Sequence, residues 1–128
     1  MAQRFLLLTS VELRAELQSS RPPALVDIRS RDAYEAGHVP GSIHVPVYDL
    51  GARRGELPAN VAVRVVVIGD HRKRAHAAGT FLTLIGFGDV ALLAGGIAAY
   101  DGPIEVGPPP APPRSGPQLR VVPSDGGD

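Results

Sequence analysis

The sequence contains no cysteine. That excludes disulfides, thiolate metal ligands and any thiol nucleophile, and it leaves the redox compartment open. Tryptophan is also absent, and aromatic residues make up only 5%. With 44% hydrophobic residues, a core of ordinary size has to be built from Val, Leu, Ile and Ala. There is no net charge: 13 Lys and Arg balance 13 Asp and Glu. Nucleic-acid and membrane-surface binding usually draw on a cationic excess, so neither is expected. Long apolar runs are missing too. Phe5 to Leu8 is too short for a signal peptide, and Glu12 follows it closely. No stretch approaches the roughly 20 apolar residues of a membrane span. The expectation is a soluble, cytoplasmic protein with one folded domain.

What is present is a run of short, alternating periodicities. "TSVELRAELQSS" predicts a helix, with Thr9 and Glu12 at capping-box spacing. Val11, Leu13 and Leu17 are expected to form its apolar stripe, with Arg14 and Gln18 facing out. Phe5 to Leu8 precedes it as a short edge strand. "ALVDI" (Ala24 to Ile28) predicts a buried strand, and "RSRDAYEAG" a short helix stopped by Gly37. "HVPGSIHVP" is a loop leading into a short strand at Ser42 to Val45. Tyr48 to Gly55 predicts an amphipathic helical turn. "VRVVVIG" (Val63 to Gly69) is apolar on both faces, as in a central parallel strand. "RAHAAGTFLTLIG" follows as the main helix, with Ala75, Ala78, Leu82 and Ile85 at helical spacing and Gly86 as the stop. "DVALLAG" gives another strand and "GIAAY" a last helical turn. This order predicts an α/β domain over residues 1–106, with a mostly parallel sheet of about five short strands flanked by helices. From Gly107 the chain becomes rich in Pro, Gly and Ser. Residues 107–128 are expected to be a disordered tail, whose "PPPAPP" could dock on an aromatic groove.

The stretch "VVVIGDHRKRAHAAG" carries the functional question. A parallel sheet places ligand sites beyond the carboxyl ends of its strands, and the loop after Ile68 lies at such an end. The motifs around it resemble those of the rhodanese-homology family of single-domain sulfurtransferases. "LVDIRSRDAYEAGHVPGSIHVP" is similar to the family's first signature through Asp27, Arg29, Tyr34, Gly37, His38, Pro40, Gly41, Ile43 and Pro46. "LIGFGDVALLAGGIAAY" is similar to its closing signature through Leu84, Gly86, Phe87, Val90, Leu92, Gly95, Gly96 and Ile97. The resemblance covers residues 5 to 100 and implies a rhodanese-like fold. It also implies an active loop of the form Cys-x-x-Gly-x-Arg. Counting back from Arg74 puts Gly69 at the cysteine position and Arg72 at the loop glycine.

The family's chemistry passes a sulfane sulfur through a cysteine persulfide. Gly69 has no side chain, so the resemblance together with this substitution implies a catalytically inactive domain. A cradle of backbone N–H groups does not depend on the cysteine, and Gly69 would permit unusual backbone angles for it. Gly69, Asp70, His71, Arg72, Lys73 and Arg74 are therefore the candidate anion-binding loop, at a helix start where anions bind. The expected ligand is a small oxyanion (sulfate, thiosulfate or phosphate) or an acidic protein partner, in a regulatory or scaffolding role. The alternative for this stretch stays open: the basic side chains face solvent and the loop only connects. An enzyme is the other reading, either sulfur transfer with an external thiol or hydrolysis with Asp70 as nucleophile and His71 as base. Against the second, Asp70 lies one position past the cysteine slot, and neighbouring cations lower its basicity. Asp27 and Arg29 end a strand beside the expected pocket and are assigned a supporting role, bonding loop backbone. His38 is expected to brace local loops. His44 and His76 have no partners at metal-ligand spacing, and neither a metal nor a cofactor is expected.

Overall fold

A computed structural model describes residues 4–110. The predicted tail falls mostly outside these residues. Five parallel strands form one sheet in the order β1-β5-β4-β2-β3. They are β1 (Leu6–Leu8), β2 (Ala24–Asp27), β3 (Ile43–His44), β4 (Val65–Ile68) and β5 (Val90–Leu93). Helices α1 (Ser10–Leu17), α2 (Arg31–Ala36) and α3 (Arg72–Leu84) connect them, with short 3-10 turns at Val47–Asp49, Arg54–Glu56 and Ile97–Ala99.

The central strand β4 shows why the sheet needs two covering layers. All four of its residues are buried. Val65 and Val67 point into one core with Val26, Leu92 and, from α3, Ala78 and Leu82. Val66 and Ile68 point into the other with Leu25, Ala91, Leu93 and, from α1, Leu13. The period of two assigns alternate residues to opposite faces. The continuous apolar run is what a strand covered on both sides requires.

Helix ends follow local rules. The Thr9 hydroxyl accepts from the Glu12 N–H, and the Glu12 carboxylate accepts from the Thr9 N–H, closing the predicted capping box. At the end of α3, the N–H of Gly86 donates to Thr83 O and that of Phe87 to Leu82 O. Gly86 has a φ of 115°, the left-handed turn that glycine adopts without a Cβ penalty.

Three expectations are corrected. Val11 is 70% exposed, whereas Leu13 is fully buried. At about 100° per residue, positions 11 and 13 lie about 200° apart, so one stripe cannot hold both. Ser10 takes the inward position instead, where its hydroxyl donates to the Asp101 carboxylate at 2.6 Å. Second, the segment Tyr48 to Gly55 forms two separate 3-10 turns rather than one amphipathic turn, and Tyr48 is 85% exposed. Gly51 in its middle disfavours a continuous helix. Third, α3 begins at Arg72, two residues before the predicted start. Arg and Lys are good helix formers, and the Ala75 N–H closes the first turn on His71 O.

Candidate functional site

The carboxyl ends of β1, β4 and β5 border a cavity of about 410 Å³. Its floor is backbone: Gly69 at the end of β4, and Gly95 and Gly96 after β5. Apolar wall comes from Leu7, Ala75, Leu92, Leu93 and Ala94. The polar rim is Asp70, His71 and Arg72.

The floor is fixed by a turn that only glycine can make. Gly96 has φ 66° and ψ −164°, a region closed to other residues. A Cβ at this position would lie 2.6 Å from the Gly69 carbonyl oxygen. That close approach lets the next N–H, of Ile97, donate to the same oxygen at 2.8 Å. The turn after β5 thereby holds the loop after β4 in place. Gly69 itself is not among the glycines with positive φ, so its expected unusual angles are not what the loop uses. The constraint lies at Gly95 and Gly96 instead, because they approach the loop from β5. A Cβ at Gly69 would meet Ala75 at 3.4 Å and Ile28 at 3.5 Å, which are ordinary contacts.

Of the six residues assigned to the loop, Gly69, Asp70, His71 and Arg72 line the cavity, and Lys73 and Arg74 do not. Residues 70 to 74 are all exposed. His71 is the N-cap of α3 but makes no side-chain capping bond, and the first turn holds no acid. Arg72, Lys73 and Arg74 thus stand at the positive end of the helix macrodipole, each at a cost of about 0.3–1 kcal/mol. None of the three takes part in an ion pair among the described residues. The first N–H groups of any helix also have no partner within it. Arg72 and the free donors of the helix start therefore meet at one rim, beside the Asp70 carboxylate.

Asp27 and Arg29 sit elsewhere. Arg29 donates to both Asp27 carboxylate oxygens, at distances from 2.7 to 3.2 Å, and to Gly37 O at 2.7 Å. The pair is buried. It fixes the end of α2, and its side chains make no bond to residues 69–74. Beside it, the Tyr34 ring lies between His38 and His44, with centroid distances of 3.7 and 4.5 Å. Each imidazole donates to a carbonyl, His38 to Tyr34 O and His44 to Arg29 O, both at 2.8 Å. The backbone of His38 also pairs with that of Glu105. Burial pushes the Tyr34 phenol up from its ordinary value. His76 lies on α3 with its ring edge-on to Phe5 at 5.0 Å. Among the described residues, no group of three His, Asp or Glu could hold a metal ion.

Sequence reading missed the apolar wall and the role of the glycine doublet. Gly95-Gly96 was visible as a motif, but its contact with Gly69 spans more than 25 positions. Leu7 carried no signal beyond an edge strand. Among the described residues, no helix is long and apolar enough to cross a membrane.

Comparison with known proteins agrees with this architecture. Part of the chain is 45% identical over 47 residues to the HTH-type transcriptional regulator Rv0324 of Mycobacterium tuberculosis, covering 34% of this chain and 21% of that protein. It is 30% identical over 132 aligned residues to the putative thiosulfate sulfurtransferase SseB of the same organism, covering 79% of this chain and 46% of that protein. The chain therefore spans less than half the length of either relative. The rhodanese-like domain of the Alr3790 protein from Anabaena superposes with a TM-score of 0.68 at 26% identity, covering 97% of this chain and 93% of that one. The model of the rhodanese-like domain matches residues 9–102, and the chain belongs to that family.

Proposed function

We propose that this domain is a catalytically silent member of its family that binds an anion or an acidic partner at the β4–α3 loop. The carrying observation is the rim itself. Arg72 lines a cavity at an uncapped helix start, and Arg72, Lys73 and Arg74 have no ion-pair partner among the described residues. Silence follows from composition. We take Gly69 to stand where the family carries its nucleophile, and the chain has no cysteine to replace it. Two or three charge-assisted hydrogen bonds at about 1.5–3 kcal/mol each would leave roughly 4–6 kcal/mol after losses. That corresponds to dissociation constants from about millimolar to tens of micromolar.

A hydrolase built on Asp70 draws no support from the rim: Asp70 is exposed, and no hydrogen bond or ion pair joins it to His71. Sulfur transfer with a thiol from outside the chain is the second reading. Its support is the cavity that Gly69 lines, which could admit a small thiol beside that residue. One experiment addresses both readings. Thiosulfate-to-cyanide transfer is measured with and without a small thiol, beside calorimetric titration with sulfate, thiosulfate and phosphate. Anion binding without turnover in either assay is expected. Turnover without added thiol would overturn silence, and turnover dependent on the thiol would favour the second reading.

A further inference from the structure

The cavity is larger and less polar than an inorganic oxyanion requires. Water occupies about 30 Å³ per molecule in the liquid, and sulfate displaces on the order of two or three such volumes. Most of the 410 Å³ would remain after a sulfate had settled at Arg72. The remaining space faces hydrocarbon. Leu7 and Leu92 are paired neighbours on β1 and β5, and Ala75 and Ala94 complete the wall with Leu93. Leu7 is 57% exposed while Leu92 is 8% exposed. The wall thus grades from covered to open towards the edge of the sheet, and a bound aliphatic group would cover its open part.

The rim limits the charge of the ligand. Arg72 and Asp70 both line the cavity, so their formal charges cancel. A single negative charge can meet the Arg72 guanidinium while keeping away from the Asp70 carboxylate. A dianion doubles both its attraction to Arg72 and its repulsion from Asp70, while its desolvation cost grows with the square of its charge, to about four times that of a monoanion. Lys73 and Arg74 do not reach the cavity to offset this.

We infer that the ligand of this cavity is an organic monoanion: one carboxylate or sulfonate head at Arg72 on a short aliphatic body lying along Leu7 and Leu92. The inference rests on the anion-binding reading above and narrows its ligand class.

Four probes test it by calorimetry and amide chemical shifts: hexanesulfonate, methanesulfonate, sulfate and hexanol. Each buried methylene should tighten binding about fourfold, so hexanesulfonate, with three or four of its five additional methylenes covered, should bind about a hundredfold tighter than methanesulfonate. Arg72→Gln should weaken hexanesulfonate about tenfold or more. Leu7→Asn, at an exposed position, should weaken it severalfold while leaving methanesulfonate unchanged. Asp70→Asn should improve sulfate more than hexanesulfonate. Equal binding of methanesulfonate and hexanesulfonate would leave the anion site standing and remove the aliphatic ligand. Hexanol binding as tightly as hexanesulfonate would remove the charged head. If none of the four binds, the anion-binding reading falls as well.

Discussion

The N–H of Ile97 donates to the carbonyl oxygen of Gly69 at 2.8 Å, joining the turn after β5 to the loop after β4. Gly96 makes this possible by leaving no Cβ in the 2.6 Å gap to the same oxygen. Gly96→Ala is therefore expected to cost at least about 2 kcal/mol, because its backbone angles and the contact both oppose a methyl group. Chemical denaturation measures that cost. Amide shifts at 69–72 should move in the variant, since the loop loses its tether. A variant as stable as the parent, with unmoved shifts, would show that the turn is not what holds the loop.

Gly69→Cys should fold with a stability within about 1 kcal/mol of the parent. The new Cβ meets Ala75 at 3.4 Å and Ile28 at 3.5 Å, and losing a glycine reduces the entropy of the unfolded chain. The added thiolate should attack the sulfane sulfur of thiosulfate, form a persulfide and release sulfite. Mass spectrometry reads this as the gain of one sulfur atom. A folded variant that never gains the sulfur would show that the rim excludes thiosulfate.

Arg29→Met should be among the most damaging single changes. Asp27 is fully buried and its carboxylate is held by Arg29, so removing the cation leaves a buried charge unpaired. The expected loss is about 3–5 kcal/mol, with the support of Gly37 O lost as well. Adding Asp27→Asn to the same chain should recover part of it. A double variant no more stable than Arg29→Met alone would place the loss in the Gly37 contact.

Alkaline pH should destabilise the domain through Tyr34. Burial raises its phenol above the ordinary value, so the unfolded chain ionises first as pH rises past about 10. Stability from the neutral phenol is full below that pH and is lost as pH climbs towards the folded value. Tyr100 is raised for the same leading reason. Tyr34→Phe should flatten the fall in melting temperature above pH 10, and Tyr34→Phe with Tyr100→Phe should flatten it further. An unchanged slope in the double variant would assign the alkaline loss to other groups.

The sequence by itself determined whatever depends on neighbours a few positions apart. Thr9 and Glu12 reach each other within one turn, Gly86 stops its helix locally, and the unbroken β-branched run at 65–68 reads as a strand covered on both faces. The absence of cysteine was equally plain, and it bounds the chemistry without any structure. Tertiary structure decided what depends on distant partners. Ser10 is buried because Asp101 accepts its hydroxyl, leaving Val11 in solvent. Arg29 reaches Gly37 rather than the β4–α3 loop, because β2 ends against the end of α2. Gly96, not Gly69, bears the backbone constraint, because the sheet brings the ends of β4 and β5 within one hydrogen bond. The apolar wall of the cavity exists only once β1 pairs with β5. Local spacing carries no information about such pairings, since they depend on how the sheet orders its strands.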